Sequence, residues 1–228
     1  MSQKNKIAKN IQELRAEIKE AQLVGVTKYS PVEDVILAYE AGLYDFGENR
    51  TSDLKEKAEV FKTQELNKVR WHFIGHLQTN KVRELLQIPR LWAIHSVDSL
   101  RLLEELYKRE NEFKGSEIKV FLQINTSHEE EKSGFETIDE LYPAVDLMLS
   151  RKDSKFKLHG LMTMGPIRTE DFEADARKCF KALAHVQKTL AERYHLNDLK
   201  LSMGMSQDYS IAMEEGSDYV RIGSKIFK

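Results

Sequence analysis

One cysteine, four prolines, almost no net charge and no long apolar run are what this 228-residue sequence most visibly lacks, and each shortage excludes a class of function. A lone Cys179 can form no intrachain disulfide and no cysteine-based zinc cluster. It falls with Phe172, Ala176, Leu183, Val186 and Leu190 at helical spacing, so it reads as a core thiol without chemistry. The histidines show no His-Glu-x-x-His spacing, and His72, His95 and His159 read as hydrogen-bonded structural residues, so no metal is expected. Because 35 basic residues nearly balance 37 acidic ones, a net charge of -2 offers no field for nucleic acid or an anionic membrane. Residues 1–20 are amphipathic and charged, unlike a signal peptide. Nothing approaches the roughly 20 apolar residues of a membrane span, and a cytoplasmic protein is expected.

What is present is the composition of a globular protein, 41% hydrophobic and 32% charged with 11 glycines. After a charged first helix, residues 22–28 read as a strand, and Ser30 followed by Pro31 supplies an N-cap and first-turn residue for a helix over 31–41. Gly42 ends that helix, 43–46 form a second strand, and Asn49 or Thr51 caps the next helix. Strands at 71–74, 91–95 and 118–124 then alternate with helices over 79–86, 98–113 and 137–149. Strands at 156–161 and 198–201 flank a long helix over 170–194, and 218–222 is the last strand. Such alternation implies parallel strands, because each return to the same edge needs a crossover helix. Eight of them predict an α/β fold, a single TIM-type (β/α)8 barrel with an extra N-terminal helix, the rival being a doubly wound open sheet. No Gly/Ser/Pro linker or internal repeat divides residues 1–228, which are expected to form one domain. The glutamates at 129–131 read as a solvated loop.

Three segments carry chemistry. Lys28 ends the run Leu23-Val24-Gly25-Val26-Thr27-Lys28 and shares the parity of Val24 and Val26, which sets it on the barrel's inner face. Burial there would disfavour its charged form and leave an amine able to attack an aldehyde; the plainer reading is a lysine that solvates itself at the strand end. In Leu201-Ser202-Met203-Gly204-Met205-Ser206 a strand gives way to a loop, with Ser206 read as the cap of a helix beginning near Asp208. Gly204 allows close backbone approach to a phosphate, and Ser202 and Ser206 can donate to its oxygens. Tyr219-Val220-Arg221-Ile222-Gly223-Ser224 offers a second loop of the same kind. Phosphate sites in β/α barrels often use the loops after strands seven and eight, and closure sets strand eight beside strand one. The amine and the anion site therefore meet at one mouth. Phe46-Gly47-Glu48-Asn49 and Trp71 to Gln78, at the exits of strands two and three, are candidates to line that pocket, while Met162, Met164, Met203 and Met205 read equally as pocket wall or core.

These segments resemble the YggS/PROSC family, the pyridoxal phosphate homeostasis proteins. The resemblance spans nearly the whole chain and rests on Val26-Thr27-Lys28, Phe46-Gly47-Glu48-Asn49, Trp71-His72-Phe73-Ile74-Gly75-His76-Leu77-Gln78-Thr79-Asn80-Lys81, His159-Gly160-Leu161-Met162 and the two loops above. It implies a barrel like the alanine racemase N-terminal domain, with pyridoxal 5′-phosphate (PLP) held as an aldimine on Lys28. It also implies a binding set of Asn49, Ser202, Met203, Gly204, Ser206, Arg221, Gly223 and Ser224, with Arg221 facing the pyridine nitrogen. The expected role is cofactor buffering or delivery in the cytosol, to apo PLP-dependent enzymes, without catalysis. A monomer is expected, a dimer being the other arrangement allowed. A PLP-dependent amino acid racemase is the alternative. Two-base racemisation needs an acid/base on each face of the substrate, and the sequence stops four residues after Ser224, so no second domain is expected to supply one.

Overall fold

The strands are two-sided: Leu23, Phe46, Trp71, Leu201 and Val220 enter the large apolar core beneath the helices, while their neighbours Gln22, Asp45, His72, Ser202 and Arg221 do not. That alternation lets a sheet close on itself with an apolar outside and a mixed inside. A computed structural model describes residues 2–129, 131–167 and 169–228. Its strands are β1 (Gln22–Val26), β2 (Asp45–Glu48), β3 (Arg70–Phe73), β4 (Leu91–Val97), β5 (Ile118–Gln123), β6 (Phe156–Met162), β7 (Lys200–Ser202) and β8 (Tyr219–Ile222). They form a closed parallel barrel in sequence order, as the alternation predicts. The seam pairs Gln22 with Tyr219, Leu23 with Val220, Val24 with Arg221 and Gly25 with Ile222.

The helices are α1 (Gln3–Ile18), α2 (Val32–Glu40), α3 (Thr51–Thr63), α4 (Val82–Leu86), α5 (Leu100–Lys108), α6 (Ile138–Ser150), α7 (Phe172–Tyr194), α8 (Tyr209–Glu214) and α9 (Ser224–Phe227). The extra helix α1 buries Ile7, Ile11, Leu14 and Ile18, one stripe at helical spacing. It docks through Arg15, which donates to the Gly42 carbonyl at 2.8 Å, and Asn10, which donates to the Ile226 carbonyl at 3.0 Å. Inside the barrel a smaller cluster of Ala93, Phe121 and Met162 packs with Trp92, Met164 and Tyr219. Cys179 is buried as expected.

Several local expectations shift. Strand β2 lies two residues later than predicted, because the chain leaves the positive φ of Gly42 (+87°) with Leu43 sunk in the outer core and meets β1 only at Phe46. The capping residues of α2 and α3 are Pro31 and Arg50, neither with a side-chain bond, so Ser30, Asn49 and Thr51 do not cap. The stretch predicted as a helix over 79–86 is a short 3-10 turn at Thr79–Lys81 followed by α4. In the predicted solvated run, Glu130 lies outside the described residues and Glu129 pairs with Lys132.

Candidate functional site

Lys28 is exposed, not buried: β1 ends at Val26, and two residues later the side chain emerges at the C-terminal mouth with Nζ 5.2 Å from the Tyr29 ring centroid. The desolvation expected from its parity is therefore absent in this state. Its backbone is nevertheless pinned. The Thr27 amide donates to Gly47 O at 3.0 Å, the Thr27 hydroxyl donates to Glu48 Oε1 at 2.7 Å, and Lys57 Nζ from α3 donates to Thr27 O at 2.7 Å. Lys57 also pairs with the fully buried Glu48. Glu48 thus faces outward into α3 and does not line the mouth, whereas the half-buried Asn49 stands at the rim. There its carbonyl packs against Gly75, where a Cβ would lie 2.0 Å from the oxygen.

The two loops meet as predicted, with roles redistributed. Gly204 has φ +91° and a Cβ there would sit 2.6 Å from the Ala212 Cβ, so only glycine lets β7 turn so tightly into α8. Ser206 is not a helix cap: Asp208 occupies that position, and Ser206 Oγ accepts from the Gly223 amide at 3.3 Å, tying one loop to the other. A Cβ on Gly223 would lie 2.9 Å from Val26 O, so the β8 loop rests directly on the end of β1, two residues before Lys28. Ser224 is exposed beside it. Met203 sends its side chain into the outer core and meets the site by backbone alone. Ser202 is fully buried below the loop, committed to other side chains instead of being displayed with Ser206.

Those other side chains are what the sequence reading missed. Arg221 Nη1 donates to Ser202 Oγ at 2.7 Å and Nη2 to Thr163 O at 2.8 Å. Ser202 Oγ lies 2.8 Å from His95 Nδ1, His95 Nε2 lies 2.9 Å from His72 Nδ1, and His72 Nε2 lies 3.0 Å from Asp45 Oδ1. Burial first, and then the neighbouring His72 and Arg221, hold His95 well below the usual imidazole range. Burial pushes Arg221 down to about 10 against the opposing charge of Asp208. Burial also pushes Asp45 upward, but its interactions with His72 and Arg70 outweigh it, and the carboxyl stands below its ordinary value. His159, pushed to about 4 by burial and then by Lys119, meets the Tyr219 hydroxyl at 2.9 Å. The structural reading of the three histidines fits this geometry. Strand parity could have exposed the cluster, since Asp45, His72, Ser202 and Arg221 all alternate with outer-core residues.

The site fits a phosphorylated aldehyde on three counts. A buried guanidinium has its described bonds on neutral oxygens, two glycine loops close to backbone contact, and a free amine stands at the same rim. A shallow depression among Thr79, Arg101, Glu104, Glu105 and Lys108 lies on the outer ring and involves none of these residues.

The family described as alanine racemase, N-terminal domain, matches residues 3–228. The human protein named pyridoxal phosphate homeostasis protein is 37% identical over 211 residues, spanning 90% of this chain and 75% of that one. PipY of Synechococcus elongatus, solved with PLP bound, superposes with a TM-score of 0.83 at 29% identity, over 97% of this chain and all (100%) of the other. The alanine racemase of E. faecalis shares the fold, with a TM-score of 0.71 at 18% identity over 97% of this chain and 57% of its own. The chain belongs to the alanine racemase N-terminal domain family, as a member of its YggS/PROSC group, the pyridoxal phosphate homeostasis proteins.

Proposed function

We propose that this chain is a single-domain, monomeric carrier of pyridoxal 5′-phosphate in the cytoplasm, which holds the cofactor on Lys28 and buffers or delivers it to apo PLP-dependent enzymes without turning over a substrate. The observation that carries this reading is the β1–β8 seam. By pairing Val24 with Arg221 and Gly25 with Ile222, it brings the Lys28 turn, the buried guanidinium and both glycine loops to one mouth. When bound, the cofactor supplies an aldehyde with which an unprotonated amine condenses, releasing water. Lys28 would provide that amine, Ser206, Ser224 and the loop backbone at Gly204 and Gly223 would hold the phosphate, Asn49 would line the rim, and Arg221 would serve the ring nitrogen with Ser202 behind it. An arginine cannot readily yield its proton, so beside it the ring nitrogen would stay unprotonated and the ring would be a poorer electron sink. The exposed position of Lys28 suits exchange with a competing amine.

Borohydride reduction of PLP-loaded protein followed by peptide mapping tests this assignment. The cofactor's mass should fall on Lys28, and Lys28→Ala should lose the visible absorption band. A label confined to Lys225 or to surface lysines would overturn the site. Deuterium wash-in at the α-carbon of common amino acids, dependent on Lys28 and at the roughly 1 to 1,000 per second usual for enzymes, would restore the racemase reading.

A further inference from the structure

We propose that His95 is a positioning residue for Arg221: through Ser202 it anchors one end of a barrel-spanning relay, Arg221–Ser202–His95–His72–Asp45, whose hydrogen bonds all run in one direction. The inference rests on the reading of Arg221 as part of the cofactor site and deepens it. Its starting point is chemical inventory. Arginine only donates, so Ser202 Oγ must accept from Nη1. Ser202 has no exposure to water, and its other short contact is His95 Nδ1. If the hydroxyl hydrogen goes to Nδ1, then His95 carries its proton on Nε2 and donates to His72 Nδ1, and His72 in turn donates from Nε2 to Asp45 Oδ1. Each link of the relay then pairs one donor with one acceptor, both imidazoles are neutral, and the formal charges sit only at the two ends.

The opposite polarity needs an added proton. A charged His72 would donate to His95 Nε2, and His95 would donate from Nδ1 to Ser202, which would then accept twice. The hydroxyl hydrogen would be left without a described acceptor in a dry interior, a costly arrangement. A second cation would also lie in the same barrel as Arg221.

In this arrangement the relay gives Ser202 a fixed orientation, with its lone pair toward Arg221 and its hydrogen away. Asp45 at the far end is held by Arg70 and by Gln22, which donates to Oδ2 at 2.8 Å, so the negative terminus does not move. Stacking of His95 on Phe121, with ring centroids 4.1 Å apart and planes at 15°, fixes the middle. Chains of this kind polarise one another, so a break at His95 is felt at the guanidinium.

Two measurements test the relay. In cofactor-free protein with 15N-labelled histidine, both His95 and His72 should be neutral Nε2–H tautomers at neutral pH; a charged imidazole at either position overturns the proposed polarity. In PLP-loaded protein, His95→Phe keeps the stacked ring but removes both nitrogens. It should shift the visible absorption band and lower cofactor retention about tenfold, the scale of one bond to a charged group. Ser202→Ala should do the same and Ser202→Thr, which keeps the hydroxyl, should restore the parent spectrum. A His95→Phe variant with the parent's band and retention overturns the positioning role. Should that variant not fold, His95→Gln decides, because its amide can accept and donate at once; a loss as large as that of Ser202→Ala would count against the relay. If the unmodified protein itself shows no Lys28-dependent band, the cofactor reading has failed, and the tautomer measurement still decides the relay.

Discussion

The barrel wall carries two buried polar assemblies, one outside it near the mouth and one running through its interior, and they are built in opposite ways. Outside the wall, Glu48 and Lys57 meet as adjacent formal charges beneath α3, with Thr27 as their third partner. Inside it, Asp45 and Arg221 are also of opposite charge, but His72, His95 and Ser202 stand between them. The outer pair pins the peptide of Thr27, next to Lys28; the inner chain orients the guanidinium beneath. Close charges give a stiff local clamp whose loss exposes an unpaired buried ion, while separated charges leave the terminal group free to act on a ligand.

The sharpest way to break the comparison is to remove one charge from the outer pair. Lys57→Met should cost about 3 to 5 kcal/mol of stability, because it strands a fully buried Glu48 carboxylate. Adding Glu48→Gln should recover a large part of that loss, since the remaining cost would be a hydrogen bond and packing. Denaturant titration of the single and double variants measures both. A single variant within about 1 kcal/mol of the parent would mean the pair behaves as a surface salt bridge, and the contrast with the inner chain would fall.

Acid should act on the histidines inside the barrel. His159, at about 4, and His95, well below its ordinary value, stay neutral in the folded protein, while the unfolded chain charges both near pH 6.5. Between about pH 6.5 and 4 the unfolded state therefore binds more protons. Stability should fall as pH drops through that window, by at most about 1.4 kcal/mol per pH unit for each histidine. Asp208, raised by burial, works in the other direction below neutrality. Thermal melts across the window, with His159→Gln and His95→Gln for comparison, check the sign. Each variant should flatten the slope, and a slope unchanged in both would remove the histidines from the acid response.

Much of this was legible in the sequence, and the rest fails for identifiable reasons. The eight strands and their crossovers were readable because outer-face residues such as Leu23, Phe46, Trp71 and Val220 supply strong apolar signals bounded by turns. Lys28, Gly204 and Gly223 stand out as candidates because they fall together at the exits of strands one, seven and eight, whereas the part given to Arg221 comes from the family resemblance alone. Glu48 was misread as pocket lining: it alternates with Gly47 and so faces the helices, a point that parity alone could have decided. The relay was not read because its links are long-range, His95 meeting Ser202 across 107 positions. No local pattern marks such a contact, although the inward parity of its members was visible. Lys28 itself was placed too deep, because pairing of β1 stops at Val26 and the alternation was carried past the end of the ladder.

The smallest expected effect lies in the loops above both assemblies, and it sharpens the comparison by separating phosphate binding from support of the wall. Ser206 accepts from the Gly223 amide, which leaves its own hydrogen for an anion, and Ser224 stands exposed at the start of α9. Neither touches Glu48, Lys57 or the relay in any described bond. Ser206→Ala and Ser224→Ala should each weaken PLP retention by about 1 to 2 kcal/mol, the scale of one hydrogen bond to a charged group. Ser224 should lie nearer the lower figure because water competes for an exposed hydroxyl. Pyridoxal lacks the phosphate, so its binding should be the same in both variants as in the parent. Competition dialysis of PLP against pyridoxal measures the two ligands side by side. Equal weakening of both would mean that these serines shape the mouth as a whole, and the phosphate would then have to be held by the loop backbone at Gly204 and Gly223 instead.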